Sequence, residues 1–427
     1  MPALKGPDVT KKLFGGVLDI DGAGHYPGLE LLNFVLCCTD GILPGPEVER
    51  VRIRRQSHAF ARRLVAADNK LTEDDCNKVL LDSGSRTAIV HLLRCVELAV
   101  PNAIKSKSWE RTHFFPYTRS LIHWDARIRN ETFKFERRYL RGGGAFAFSV
   151  LRHDPNPDRL AAVRSGFEAL YPPDAEGPLE KLSGTLIKHG YIDSEPVEDT
   201  LERDSSIRND DLDELYRDGM KSILSHKRVP HVQRIRAIMN WTGIWLVLLE
   251  ATRSARYLGK AGAKIIVDCA GVHPQLRRAA QRCLKESLAN IEEASISLAR
   301  QAGGEISAPQ RNKIKGFFGG TASLCGLLNA PKGRRHFTLK LEAIEALVLA
   351  CGPNSERSFE EFTADWLGKR CGLIVGRVAA GDCDLLNDFD ATIFEENERQ
   401  FAEQMRATGM LRVYSDATRM VSAEVMQ

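Results

Sequence analysis

From His336 to the C-terminus, hydrophobic positions first repeat at helical spacing and then alternate as in strands. A first amphipathic helix is predicted over Thr338–Ala350, with Thr338 as the N-cap and Leu341 and Leu347 in its apolar stripe. Gly352 and Pro353 are expected to end it, because proline cannot continue the hydrogen-bond ladder.

Two further helices follow the same logic. Ser358 and Glu361 have the spacing of a capping box, and a buried face from Phe359 to Leu367 follows them. A third helix is predicted over Thr392–Ala407, ending at Gly409. The apolar positions of the third helix are Phe394, Phe401 and Met405.

The chain then alternates in two short runs, Met410–Tyr414 and Thr418–Val421, which predicts two strands joined by a tight turn. Three helices followed by such a ribbon predict a winged-helix-like C-terminal domain. Winged helices contact DNA or another protein. The third predicted helix carries more acidic than basic side chains, and carboxylates repel phosphate, so a protein partner stays open beside DNA. The charged residues of this third helix are Glu395, Glu396, Glu398, Arg399, Glu403 and Arg406.

Elsewhere the pattern is mainly helical, so the predicted fold class is mainly α (α+β), made of helical bundles. Long helices are predicted over Val232–Leu258 and Gln275–Ala302, the second with near-heptad apolar spacing. The most apolar run, Trp241–Leu249, is far shorter than the ~20 residues that span a bilayer. With no visible signal peptide, we expect a cytoplasmic protein without a membrane partner.

A β-hairpin is predicted near residues 132–150, since Phe133 to Glu136 and Ala145 to Val150 both alternate around a glycine turn. It lies in a basic stretch rich in aromatic residues. Basic and aromatic side chains together can bind single-stranded nucleic acid, although packing of a hairpin on the N-terminal helices explains the same pattern. The aromatic residues of the stretch are Phe114, Phe115, Tyr117, Trp124 and Tyr139.

Three domains are predicted: residues 1–153, a helical domain with the hairpin; residues 154–305, a central helical domain; and residues 306–427, a basic lead-in with the winged-helix-like domain. Prolines around Asp154 mark the first boundary. The segment 193–218 has eleven acidic residues against three arginines and is interpreted as an exposed linker entering a surface helix.

The net charge is only +4 over 427 residues, but its distribution is uneven. Between Ile306 and Leu341 there are seven Lys or Arg and no Asp or Glu. A local positive field of this kind favours phosphate contact. Glycines 316, 319, 320 and 333 would either admit a phosphate to the backbone or form plain turns. The candidate nucleic-acid-binding residues are Arg311, Lys313, Lys315, Lys332, Arg334, Arg335, Arg412 and Arg419.

The sequence has no complete catalytic signature: phosphate loops, nucleophile elbows and paired-histidine zinc motifs are absent, and the ten cysteines form no C-x-x-C pair. We therefore predict no cofactor, no resident metal and no catalytic residue. One alternative stays open. Asp382, Asp384 and Asp388 lie close together within Asp382–Asp390, and paired carboxylates can hold Mg²⁺ in a nuclease.

The C-terminal arrangement, ending in Gly409-Met410-Leu411-Arg412-Val413-Tyr414-Ser415-Asp416-Ala417, resembles the winged-helix ends of bacterial proteins encoded in anti-phage defence operons. The resemblance covers only this unit and transfers no catalytic residue. It implies a non-enzymatic subunit that works beside separate enzymes. The leading hypothesis is a DNA-associated accessory or scaffold subunit of a multi-protein bacterial complex. The alternatives are the metal-dependent nuclease and a purely protein-binding adaptor that docks through the acidic segment and the heptad-like helix.

Overall fold

The computed structural model describes residues 5–18, 27–49, 51–57, 97–99, 112–114, 116, 126–129, 132–135, 143–172, 193–198, 205–352, 357–415 and 418–422. The chain forms two compact units. Unit 1 comprises residues 1–19, 154–166 and 205–427, and unit 2 comprises residues 20–153 and 167–204. The division into three domains stays a prediction.

Helices dominate the described residues, which confirms the predicted mainly α class. They are α1 (Gly6–Phe14), α2 (Pro27–Cys37), α3 (Gly144–Arg152), α4 (Pro157–Leu170), α5 (Asp211–Ser225), α6 (His231–Tyr257), α7 (Pro274–Gln301), α8 (Ala308–Leu324), α9 (Leu341–Cys351), α10 (Phe359–Glu361), which continues as a π-helix (Phe362–Arg370), α11 (Arg377–Gly381), a 3-10 turn (Leu385–Asn387) and α12 (Ala391–Ala407). Of the helices described, none has the length and apolar character that crossing a membrane requires.

The strands are short. They are β1 (Arg52–Ser57), β2 (Glu97–Ala99), β3 (Thr112–Phe114), β4 (Ala126–Arg129), β5 (Thr132–Phe135), β6 (Asp193–Glu198), β7 (Ile265–Ile266), β8 (Arg357–Ser358), β9 (Leu373–Ile374), β10 (Leu411–Ser415) and β11 (Thr418–Val421).

Helix α6 forms the centre of unit 1, as the apolar run Trp241–Leu249 predicts. Trp241 and Trp245 are fully buried, and each indole N–H donates to a carbonyl oxygen of α5. The ring of Tyr216 stacks on Trp245 at 4.1 Å between centroids. Since every polar atom of these rings has a partner, the aromatic core is buried without an unpaired donor.

The C-terminal capping chemistry is as predicted in its second and third helices. Ser358 and Glu361 form the capping box reciprocally. Helix α12 spans Ala391–Ala407 with its three predicted apolar residues fully buried, and Gly409 adopts φ +75° at its end. That left-handed conformation favours glycine, so the sequence marks this helix end correctly.

The start of α9 differs from the prediction. Lys340, not Thr338, is the N-cap, and Leu341 is 50 % exposed instead of lying in the buried stripe. The reason is tertiary: the Thr338 hydroxyl donates to the carbonyl oxygen of Asp268 at 2.8 Å, which holds residue 338 outside the helix.

Strands β10 and β11 pair in the predicted antiparallel ribbon, with Leu411 opposite Val421. A third strand, β8, pairs with β11 and places Arg357 opposite Val421. The sheet order is therefore β10-β11-β8. Along the chain, α9 precedes β8, and α10 and α12 lie between β8 and β10.

A parallel two-stranded sheet links β9 to β7, so this part of the chain shares a core with the central helices. The hydrophobic cluster there combines Ile266 and Leu276 with Ile374 and Phe394. Buried Asn397 lies beside this cluster. Its side-chain nitrogen donates to the carbonyl oxygens of Val267 and Val375, and its side-chain oxygen accepts from the backbone N–H groups of Cys269 and Ala270, in the loop after β7.

The predicted hairpin near 132–150 is wrong in its second half. Strand β5 pairs with β4, and residues 144–152 form helix α3. All nine residues of α3 are buried, so the alternation of Ala and Phe reflects packing rather than a strand. Within unit 2, the backbone N–H of Gly144 donates to the Glu30 carboxylate, and Phe148 packs on Phe34 of helix α2.

The described parts of the acidic segment 193–218 are a strand, a short exposed or half-buried stretch at residues 205–210, and the first half of a helix, rather than one exposed linker. Residues 193–198 form β6, which pairs with β1, and residues from Asp211 begin helix α5. Helix α5 buries most of its length. Composition misleads here because buried arginines elsewhere in the chain neutralise these carboxylates, as described below.

Candidate nucleic-acid interface

A cleft of about 830 Å³ opens in unit 1 between the N-terminal half of α7 and the loop that joins α8 to α9. Its lining is rich in cationic side chains. The lining residues are Pro274, Arg277, Arg278, Gln281, Leu284, Lys285, Leu288, Asn329, Gly333, Arg334, Arg335 and His336. All belong to the described part of the chain, and none of them is acidic.

Helix α7 supplies one wall through its periodicity. Pro274 stands in its first turn, where the missing N–H has no cost. Arg277 or Arg278, Gln281, Lys285 and Leu288 then follow at three- and four-residue steps, which places them on one helix face. The cations of this wall are therefore fixed by regular secondary structure.

The loop wall is fixed by one side chain. The Asn329 carboxamide oxygen accepts the His336 backbone N–H at 2.9 Å, and its nitrogen donates to the Arg334 carbonyl at 3.3 Å. Gly333 turns the chain with φ +88°. Arg335 lies against α8, where a Cβ on Gly319 would approach its Nη1 to 2.8 Å. The loop is thus pinned at both ends of its cationic run.

The positive charges of the cleft are largely uncompensated. Across the described ranges, the side chains of Arg278, Lys285, Arg334 and Arg335 form no ion pair. The Asp268 carboxylate, whose side chain is fully buried, lies within 4 Å of two lining residues, Arg277 and His336. Cations left without partners in a concave surface attract polyanions, because field lines concentrate there.

Asp268 lies between two cleft residues. Its Oδ2 is 3.5 Å from Nε of Arg277 and 3.7 Å from Nε2 of His336, and its Oδ1 accepts from the Gly271 N–H. The pKa of His336 is lowered, chiefly by burial; Asp268 opposes the shift and Arg277 adds to it.

The eight residues predicted to bind nucleic acid separate into groups. Arg334 and Arg335 line the cleft, and Lys332 is exposed on the same loop without lining it. Lys313 and Arg412 are exposed on α8 and β10, outside the cleft.

The other three pair with carboxylates of the protein itself. Arg311 and Lys315 both bind Glu292 of α7, at 3.1 and 2.6 Å. Arg419 pairs with Glu360 and lies 4.6 Å from the ring centroid of Phe359. We therefore leave these three out of the candidate interface: their charge is balanced within the fold, which residue spacing along the chain cannot reveal.

The glycine interpretation also changes. Glycines 316, 319 and 320 lie inside helix α8, so their backbone groups are engaged in the helix rather than presented to a phosphate. Gly333 alone of the four is a turn glycine at the cleft.

Sequence reasoning missed Arg277, Arg278, Lys285 and His336. The first three could have been found from their recurrence along one face of a predicted helix, had its polar face been read beside its apolar one. His336 carried no such signal, because its neighbour Asp268 is distant in sequence.

The carboxylates proposed for a metal-dependent nuclease do not converge. Asp390 caps α12 by accepting from the Thr392 N–H, while Asp382 lies 3.8 Å from Lys369. Over the described residues, no group of three or more His, Cys, Asp and Glu side chains is arranged to hold a metal ion. The nuclease alternative therefore lacks the ligand geometry on which it depends.

The acidic segment is used within the protein. The buried guanidinium of Arg253 binds Asp210 and Asp213 at 2.8 and 2.9 Å. Arg159 binds Glu214 and Asp218, each at 2.7 Å. These four carboxylates are paired within the protein and do not form a free acidic docking surface.

The second surface of the adaptor alternative, the heptad-like helix, is α7. Residues Leu276, Leu284 and Ile291 of this helix are buried within unit 1, so its apolar stripe is already covered.

Helix α12 keeps its acidic character. Glu395 pairs with Arg377 at 2.6 Å, and Glu396 pairs with Arg399 on the same helix. Such surface pairs neutralise charge locally without creating a positive face. The basic aromatic stretch, apart from strand residues such as Phe114, lies outside the described residues; so do Phe115, Tyr117, Trp124 and Tyr139.

Comparison of the chain with models of known protein families, with curated proteins and with solved structures gives no match.

Proposed function

We propose that this chain binds nucleic acid, with DNA as the first candidate, through the phosphate backbone in the basic cleft. The carrying observation is the cleft itself: about 830 Å³, lined by Arg277, Arg278, Lys285, Arg334 and Arg335, without an acidic residue among the described lining. Arginine suits phosphate because its planar guanidinium donates two parallel hydrogen bonds. Contacts of this kind position a strand without reading its sequence.

The apolar part of the lining extends the proposal. Pro274 and Leu288, which are exposed and half-buried respectively, line the same cleft as the cations. Cations along a groove, with apolar surface between them, suit a single strand whose bases turn inward, whereas a duplex hides its bases. Single-stranded DNA is therefore expected to bind more tightly than duplex of the same length.

The second part of the proposal is that the C-terminal elements form a winged helix used for protein contact. It is supported by the order α9, β8, α10, α12, β10, β11 and by the antiparallel order β10-β11-β8. An insertion between the second and third helices, containing β9 and α11, departs from the simple pattern. The acidic α12 favours a protein partner over DNA.

The chain would then act as a non-enzymatic accessory subunit of a multi-protein bacterial complex, holding nucleic acid in the cleft and a partner subunit at the C-terminal unit. A role in anti-phage defence rests on the resemblance of that unit alone. A cytoplasmic location also remains a proposal, drawn from the sequence.

The test reverses two charges in the cleft. Arg334→Glu/Arg335→Glu is expected to weaken binding and to flatten its salt dependence, measured by fluorescence anisotropy of labelled oligonucleotides. The slope of log K against log salt is negative, and its magnitude should decrease by about 1.4 for single strands, because two phosphate contacts that each contribute ~0.7 to the slope are lost. The matched control is Arg399→Glu/Arg406→Glu on α12, which makes the same change of net charge outside the cleft.

If both variants bind equally, the attraction belongs to overall charge and the cleft is not the interface. If only the cleft variant loses affinity while its thermal unfolding midpoint matches that of the control, the assignment stands.

A further inference from the structure

Two buried polar atoms at the cleft lack a hydrogen bond. His336 lines the cleft and is only 9 % exposed, and its Nδ1 is buried without a hydrogen bond in the described structure. Behind it, Asp268 has a fully buried carboxylate whose Oδ2 makes no hydrogen bond to any described residue, although Arg277 and Nε2 of His336 lie within 4 Å of it. A buried polar atom without a hydrogen bond costs stability, so this pair beside a basic cleft indicates a site that a ligand completes.

The chemistry of imidazole identifies the missing group. A neutral ring has one N–H and one lone pair, whereas the protonated ring donates from both nitrogens. Nε2 of His336 faces Asp268 at 3.7 Å, which suits donation to a carboxylate, and Nδ1 is left for another partner. If Nδ1 also donates, its partner is an anionic oxygen.

We propose that His336, backed by Asp268, forms a phosphate subsite at the floor of the cleft, in which the imidazolium joins the carboxylate to a phosphate oxygen of a bound nucleic-acid strand. The inference rests on the proposed function and specifies its ligand group. The phosphate oxygen then accepts a hydrogen bond from Nδ1, the protonated ring is attracted to the Asp268 carboxylate, and the surrounding arginines hold the remaining phosphate oxygens.

Charged groups around His336 act on its proton in both directions. Asp268, from the loop after β7, favours protonation, and Arg277 of α7 opposes it. Arg278 of α7 and Arg334 and Arg335 of the loop that carries His336 line the same cleft. Burial also opposes it and is the largest effect, so the pKa of His336 is lowered in the free protein. A phosphate adds negative charge beside the ring, and this change favours the protonated form.

One proton is therefore taken up when a strand binds above the pKa of His336 in the free protein. The affinity falls by up to about tenfold for each pH unit in that range, until the ring stays neutral in the complex as well. At lower pH the ring is already charged, and no proton is taken up.

Isothermal titration calorimetry of the full chain measures the proton directly. Titration with a single-stranded oligonucleotide, in two phosphate-free buffers of different ionisation enthalpy and at a series of pH values, is expected to give an uptake of up to one proton. The uptake should be largest between the pKa of His336 in the free protein and its higher pKa in the complex. An uptake of zero at every pH overturns the proposal. No variant has to fold for this measurement.

His336→Gln tests the residue. The variant is expected to bind weakly and almost independently of pH, so that its affinity and that of the parent converge as pH rises. His231→Gln, which makes the same chemical change on α6, is the control and should retain the parent's pH profile. His336→Lys carries a fixed charge and is expected to bind at pH 8 more tightly than His336→Gln.

Oligonucleotides with and without a 5′-phosphate identify the source of the phosphate. A gain from the 5′-phosphate that His336→Gln removes assigns the subsite to a strand end, and equal binding assigns it to an internal phosphodiester. If His336→Gln follows the parent's pH profile while Arg334→Glu/Arg335→Glu abolishes binding, the subsite is wrong and the cleft stands. If neither His336→Gln nor Arg334→Glu/Arg335→Glu weakens binding, both the subsite and the proposed function are wrong.

Discussion

Glu250 tests whether this fold keeps a buried carboxyl group protonated. It lies in α6, fully buried, and neither of its carboxylate oxygens has a hydrogen-bond partner in the described part of the chain. Burial raises the pKa of Glu250 well above its ordinary value. The folded protein therefore holds this carboxyl protonated at a pH where the unfolded chain has released the proton.

The sign of the pH dependence follows from this difference. Between the unfolded pKa and the higher folded pKa, the folded state binds one proton more than the unfolded state, so the free energy of unfolding falls as pH rises. The contribution of Glu250 is complete below the unfolded pKa of about 4.3 and declines by about 1.4 kcal/mol per pH unit above it. From pH 5 to pH 7 the loss approaches about 2.7 kcal/mol if the folded group stays protonated throughout.

Glu250→Gln replaces the carboxyl with a neutral group of nearly the same shape. We expect the variant and the parent to unfold at similar urea concentrations near pH 4.5, and the variant to become the more stable one as pH rises. The assay is urea unfolding followed by tryptophan fluorescence at half-unit steps, with Trp241 and Trp245 in the same helix as reporters. Glu286→Gln, at an exposed position of α7, is the control.

Parallel curves for the parent and Glu250→Gln would refute the reasoning. They would mean that the pKa of Glu250 in the folded state is close to its ordinary value, and hence that water reaches the core around α6.

Two further substitutions test the polar contacts within unit 1. Arg253→Met should lower the free energy of unfolding by about 3–5 kcal/mol, because it leaves the fully buried Asp213 without its cation; combining it with Asp213→Asn should cost less than the two separate losses summed, as a double-mutant cycle would show. Asn397→Leu should cost more than about 2 kcal/mol in urea unfolding, since it leaves Val267 and Val375 carbonyl oxygens and two N–H groups unpaired; an unchanged midpoint would contradict that account.

Local signals explain which parts of the fold were predictable. The capping box at Ser358, the stop at Gly409 and the apolar face of α12 are decided within a few residues, and each appears as expected. Glu250 and Arg253 were different. They follow the apolar run of α6 directly, yet both are buried. Arg253 binds Asp210 and Asp213 at the start of α5, a partnership that no local pattern indicates.

The same distinction applies to the failures. Residues 145–150 alternate as a strand would, but a helix buried on every side has no polar face to reveal its period. The pairing of β7 with β9 joins Ile265 to Leu373 across more than a hundred residues, and no local pattern identifies such a distant partner. The acidic segment reads as solvated until the position of Arg253 is known.

The candidate site was half predictable for a related reason. The acid-free run before α9 drew attention to Arg334 and Arg335, which line the cleft, but it could not say that Arg311 and Lys315, in the same run, would pair with Glu292. A count of charges along the chain treats these four residues alike. Only the fold separates cations that balance a carboxylate from cations that face a cleft.

Helix α7 contacts both kinds of cation, those that pair with a carboxylate and those that face the cleft. Near its C-terminal half, Glu292 neutralises two cations of α8. Along its N-terminal half, Arg278 and Lys285 face Arg334 across the cleft, and no described carboxylate pairs with any of the three. Like charges held together in a concave surface destabilise the unliganded protein. A fold that offsets basic residues at one end of a helix and gathers them unpaired at the other concentrates its positive potential in the cleft, which is where a bound strand would relieve the repulsion.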